Sequence, residues 1–211
     1  MIKKVVGLHY SPWGRTAELT RDVSQGIAEC LSSYCNFPIE SYCYDLSQKE
    51  ENLSFDDETI VVIGMPSYVG NIPLDGLKAM RCLKGENTLT ILLVSYGSRN
   101  YGNSLYELQY FSENQGFKAI GAAAFAASNR GIACNYHNNE AVFQFRDAAS
   151  AKIKRLANCS VEGLKVNPVP LMLEGRLPKH SIVRKLPKVA ECAQNIVERI
   201  WGNNRESEWY L

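Results

Sequence analysis

Residues 3–31 read KKVVGLHYSPWGRTAELTRDVSQGIAECL, and the fold turns on what this stretch encodes. Lys3 to Tyr10 is an apolar run without strict alternation, the pattern of a strand covered on both faces. Further along, Leu19, Val23, Ile27 and Leu31 recur every four residues, which is the stripe of an amphipathic helix. Between the two lies a short turn: Ser11, Pro12, Trp13, Gly14, Arg15 and Thr16. If Thr16 begins the helix, the first-turn N–H groups and the positive end of the helix dipole face that turn. An anion can sit there, with the Ser11 and Thr16 hydroxyls as donors and Gly14 admitting close backbone approach. The same turn also serves as a plain connector, so the rest of the chain has to decide.

Three more continuous apolar runs follow: TIVVIGMP (59–66), TLTILLVSYG (88–97) and FKAIGAAAFA (117–126). A fifth candidate, PIESYCYDL (38–46), alternates imperfectly and reads as an edge strand. Helical stripes lie between them: Leu74, Leu77 and Met80, then Leu105, Leu108 and Phe111. Val142, Phe145, Ala149, Ile153 and Leu156 form another after the last run. Strand alternating with helix predicts right-handed βαβ units in an open, doubly wound parallel sheet of the α/β class. This domain is expected over residues 1–157.

Composition narrows the function classes. The chain has 211 residues, is 45% hydrophobic and 21% charged, and carries a formal net charge of +1. That is enough to bury a core, and no global field argues for nucleic acid or a membrane surface. The opening MIKKVVGLHY is too short for a signal-peptide core or a membrane span, which places the protein in the cytoplasm. Seven cysteines (30, 35, 43, 82, 134, 159 and 192) include no C-x-x-C pair, and His9, His137 and His180 form no i, i+4 pair. The sequence therefore supports no metal site and reads the cysteines as small buried hydrophobes in a reducing compartment.

From residue 158 to 211 the texture changes. Pro168, Pro170, Pro178 and Pro187 bar a long helix, and residues 165–188 hold six Lys/Arg against Glu174 alone. An amphipathic helix, KVAECAQNIVERIW (188–201), is expected after this extended arm, packing on the body or on a second subunit in a homodimer. Residues 40–58 carry seven acids against one lysine. The plain reading is a solvated surface; the sharper one is docking of a redox partner or second subunit, weakened by salt.

In an open α/β sheet, ligands bind at the strand carboxyl ends. The candidate loops are SPWGRT after the first strand, MPSYVGNIP after the third and SYGSRNYG after the fourth. Two aromatic-bearing, Gly-containing loops beside an anion-type turn suit a flat ring with a polar edge and a phosphate tail. At these residues the chain resembles the flavodoxin family, over roughly residues 1–157. GMPSYVGNIP, SYGSRNYGNSLYEL and the strand running from GFK to AAAF are most similar to a branch commonly fused to a C-terminal ferredoxin-type module.

The resemblance implies a five-stranded parallel sheet in order 2-1-3-4-5 with FMN at the strand carboxyl ends. It assigns Ser11, Trp13, Gly14, Arg15 and Thr16 to the phosphate. Pro66, Ser67, Tyr68, Val69 and Gly70 would line the isoalloxazine, as would Tyr96, Gly97, Arg99, Tyr101 and Gly102. A carbonyl in Val69–Gly70–Asn71 is the expected partner of flavin N5–H, and Arg99 that of the pyrimidine edge. Two departures stand out. The family's phosphate loop usually reads S/T-x-T-G-x-T, and here Trp13 replaces a hydroxyl residue while Pro12 has no N–H. Either Arg15 offsets the loss by a charge-assisted contact, or Trp13 covers the flavin. The cluster cysteines are missing too, since CAQNIVER offers only Cys192. The resemblance thus implies an electron carrier with a redox partner, a ferredoxin-like protein being one candidate. The alternatives are an FMN-dependent NAD(P)H reductase of quinones or similar acceptors, and a flavin-free interaction domain.

Overall fold

The computed structural model describes residues 2–48, 52–97, 100–126, 139–160, 163–166, 169, 171–175 and 208–211. Arg99, His137, His180, Cys134, Cys192 and the helix expected over 188–201 lie outside them.

In chain order the elements are β1 (Lys4–His9), α1 (Arg15–Cys35), β2 (Glu40–Asp45), a short 3-10 turn (Leu46–Gln48), β3 (Leu53–Phe55) and β4 (Thr59–Ser67). Then come α2 (Leu74–Met80), β5 (Leu83–Gly85), β6 (Thr88–Tyr96), α3 (Ser104–Glu113) and β7 (Phe117–Ala126). The chain ends with α4 (Glu140–Leu156), β8 (Ala157–Ser160), β9 (Gly163–Val166) and β10 (Glu208–Tyr210). The main sheet runs β10-β7-β6-β4-β1-β2. Its five long strands are all parallel, in the doubly wound order that places the first strand between the second and third. β2 is an edge strand, as its exposure along Glu40–Tyr42 and at Tyr44 requires.

The expectation of a five-stranded sheet is corrected at the other edge. β10 pairs antiparallel with β7, Trp209 opposite Ala123, so the sheet has six strands and is mixed. Two small ladders, β3 with β5 and β8 with β9, were not expected either.

One face is packed by α1 and α4, the other by α2 and α3. Leu19, Val23, Ile27 and Leu31 are fully buried on the first face, each contributing about 1.5–3 kcal/mol. α1 lies close on the sheet because Gly64 has no side chain: a Cβ there would sit 1.9 Å from Thr20 Oγ1. On the second face the start of the arm is strapped down. Leu171 N–H donates to Ala119 C=O at 3.0 Å, and the buried Gln109 amide donates to Leu171 C=O at 2.5 Å. The acidic stretch is partly used locally. Asp45 accepts from Ser47 N–H at 2.8 Å, Asp56 from Thr59 Oγ1 at 2.9 Å, and Glu58 pairs with Lys3 at 2.7 Å.

Candidate functional site

The three loops chosen from sequence leave β1, β4 and β6, which are adjacent in the sheet, at their carboxyl ends. In the first, Gly14 N–H donates to Ser11 C=O at 3.2 Å, closing a turn with Pro12 at the position where its fixed φ fits. Gly14 is the N-cap of α1, in the left-handed region at φ 80°, with nothing within 4 Å of where a Cβ would stand. The loop is thus uncrowded on the Cβ side of Gly14. The helix's cap comes from outside the usual position: Ser11 Oγ accepts Ala17 N–H at 3.0 Å. Glu18 sits in the same first turn, where it complements the dipole and opposes a bound anion. Trp13 is half exposed at the loop tip.

Thr16 plays a different part from the one the motif implied. It is buried, and its Oγ1 lies 2.7 Å from Ser95 Oγ, which stitches the first loop to the end of β6. A second stitch joins the other two loops. Ser104 Oγ donates to Ser67 Oγ at 2.7 Å, and Ser67 Oγ to Tyr101 C=O at 3.2 Å.

The second loop is a two-residue hairpin. Tyr68 N–H donates to Asn71 C=O at 2.9 Å and Asn71 N–H returns to Tyr68 C=O at 3.3 Å. Val69 at φ 53° and Gly70 at φ 76° are both left-handed, the signature of a type I′ turn. Gly70 packs against Gly102 of the third loop, where a Cβ on Gly102 would meet Gly70 O at 2.6 Å. Gly70 C=O is held by Asn103 N–H at 2.9 Å, whereas Val69 C=O accepts, among the described residues, only an exposed side-chain amide, Asn71 Nδ2, at 3.0 Å. Of the two carbonyls, Val69's is the more easily released.

The aromatic residues divide by exposure. Tyr68 and Tyr96 are buried and cover the core edge, with the Tyr96 ring 5.8 Å from that of Tyr101. The faces open to a ring are Trp13, Val69 and the half-buried Tyr101. Pro66 and Gly97 are buried at the strand ends.

His9, at the end of β1, is buried with Nδ1 lacking a hydrogen-bond partner among the described residues. Burial lowers its pKa; Asp45 opposes that shift and Arg21 adds to it.

Two features of the site were missed. Glu107 of α3 is almost fully buried, and its Oε2 accepts Ile72 N–H at 2.9 Å, pinning the second loop. The signal for it was a carboxylate inside an apolar stripe, between Leu105 and Leu108. The other is the chain's end: Tyr101 OH donates to Glu208 Oε2 at 2.5 Å and lies 3.0 Å from Tyr210 OH. No local pattern links residues 107 positions apart. A surface groove of about 700 Å³ between α1 and β2, lined by Arg21, Ser24, Glu29, Ser41 and Cys43, includes none of the three loops.

Among the described residues no helix is long and apolar enough to cross a membrane, and no cluster of three His, Cys, Asp or Glu side chains is arranged for a metal. No protein-family model matches the chain, and no curated protein does. Solved structures do. A flavodoxin from the domain Archaea is 13% identical, over 72% of this chain and 96% of its own, with a TM-score of 0.48. The flavodoxin of Streptococcus pneumonia TIGR4 is 10% identical, over 72% and 98%, at 0.49. An azoreductase from Bacillus anthracis is 12% identical, over 71% and 98%, at 0.42. The strand order itself defines the class: a flavodoxin-like, doubly wound α/β fold extended by an antiparallel edge strand.

Proposed function

We propose that the protein binds FMN at these three loops and carries electrons to a redox partner. The observation that carries this reading is the stitching of the loops into one surface, through Thr16–Ser95 and Ser104–Ser67–Tyr101, beside the start of α1, where Gly14 is uncrowded. The residues fit the group in part. The Ser11 O–H, the Gly14 approach and the Arg15 guanidinium suit a phosphate at the start of α1. Trp13, Val69 and Tyr101 offer faces for a flat ring. Arg99 belongs to the same assignment through the family resemblance. Bound FMN would supply the one- and two-electron redox chemistry. The chain's own part would be to hold and orient: the Val69 carbonyl, held by the Asn71 amide, would be the acceptor for a ring N–H, beside Gly70 anchored to Asn103. A cytoplasmic carrier with a ferredoxin-like partner fits this reading.

A second reading, a flavin-free interaction domain, has its own support. Thr16 is turned inward, Ser11 Oγ already caps Ala17, and Glu18 opposes an anion. Titration of the purified, refolded protein with FMN and with riboflavin, followed by flavin fluorescence, separates the two. One-to-one quenching by FMN and none by riboflavin supports the carrier. No binding at micromolar FMN sinks it and leaves the interaction domain.

A further inference from the structure

The last four residues return to the candidate site from the opposite end of the sequence. β10 lies antiparallel beside β7, with Glu208 opposite Ala124 and Tyr210 opposite Ala122. The two-residue period sends Trp209 to one face, where its ring stands 6.4 Å from Phe145 of α4. Glu208 and Tyr210 point to the other face, and both reach the third loop. Tyr101 OH donates to Glu208 Oε2 at 2.5 Å, Tyr210 OH donates to the same oxygen at 3.2 Å, and the two hydroxyls are 3.0 Å apart. One carboxylate oxygen gathers two phenols. Burial and then the Glu208 bond raise the Tyr101 pKa, so its hydroxyl stays a donor.

Tyr101 is thereby held at both ends. Its carbonyl accepts from Ser67 Oγ at 3.2 Å and from Ser104 N–H at 3.1 Å. The next residue, Gly102, is the one packed against Gly70, and Asn103 N–H then closes on Gly70 C=O at 2.9 Å. A continuous chain of contacts runs from the chain terminus through Tyr101 to the hairpin that carries Val69.

We propose that Glu208 and Tyr210 are positioning residues of the ring-binding surface: by clamping the Tyr101 hydroxyl they set the third loop, and through Gly102–Gly70 the second. The link to ligand binding rests on the FMN reading; the positioning itself does not. The test compares Tyr101→Phe, Glu208→Ala and the double variant in the 211-residue chain. Amide exchange at Asn103 reports the loop junction, and exchange at Ala122–Ala124 reports the β7–β10 pairing.

Each single variant is expected to speed Asn103 exchange about tenfold, equal to about 1.4 kcal/mol. The double variant is expected to be no faster than Tyr101→Phe, because loss of the Tyr101 hydroxyl already breaks its contacts with both Glu208 and Tyr210. Tyr101→Phe should leave Ala122–Ala124 protected, which separates clamping from detachment of the strand. Unchanged Asn103 exchange in Tyr101→Phe, or additive effects in the double variant, overturns the proposal. For FMN, the dissociation constant should rise severalfold in each variant. An unchanged constant alongside faster exchange overturns the claim that the clamp shapes the binding surface. If the wild-type chain binds no FMN, it is the flavin reading that has failed, and the exchange comparison still decides whether the clamp exists.

Discussion

Val69 holds a backbone conformation that its side chain disfavours. A β-branched residue at φ 53° is an outlier, and the left-handed region costs an L-residue about 1–2 kcal/mol. Type I′ turns ordinarily place Asn-Gly or Gly-Gly at these positions. The turn survives because its flanks are over-determined by the paired Tyr68 and Asn71 backbones, the Gly70–Asn103 bond and the Glu107–Ile72 bond. Strain kept in this way clusters at functional sites, and an exposed isopropyl group at a loop tip suits the face of a flat ring. Val69→Asn should therefore raise stability by about 1 kcal/mol, read as a higher urea midpoint with an unchanged slope. It should also weaken FMN binding by removing the apolar face. A variant no more stable than wild type would mean that the valine costs nothing in this turn. The sequence pointed to the loop but not to its geometry, since Tyr-Val-Gly-Asn lacks the Asn-Gly pair by which such turns are read.

At the level of elements, apolar periodicity carried most of the information. The four stripes correspond to α1 through α4, and the continuous runs to β1, β4, β6 and β7. These are interactions between an element and a core, which a local pattern encodes. Contacts between one loop and another element leave no such trace. Glu107 carries a charged side chain on α3, yet it is buried and serves as the acceptor for Ile72 N–H. Removing it takes away one buried hydrogen bond to a charged acceptor, at about 1–3 kcal/mol. Glu107→Ala should lose roughly that much in chemical denaturation. Glu107→Gln, which keeps an acceptor oxygen of the same length, should lose less. Equal losses in the two variants would show that the charge, not the hydrogen bond, does the holding.

Across the whole molecule, the two edges of the sheet are managed differently. β2 ends in Glu40 and Asp45, charges that discourage pairing with another chain. β7 has no such guard: FKAIGAAAFA is ten residues with one lysine near its start, and it is buried along most of its length. Its open side is covered at Ala122–Ala124 by β10, and Leu211 fills the space beside Gly121. Three residues, Glu-Trp-Tyr, are too few for a period to register, so the strand that completes the sheet was invisible in the sequence. Deleting residues 208–211 should expose an apolar, Ala-rich edge and turn the protein into one that associates with rising concentration. Light scattering coupled to size exclusion reads this directly. Glu208→Ala, which keeps the backbone ladder, should remain at the wild-type mass. A truncated chain with the same mass as wild type at every concentration would show that β10 does not guard the β7 edge.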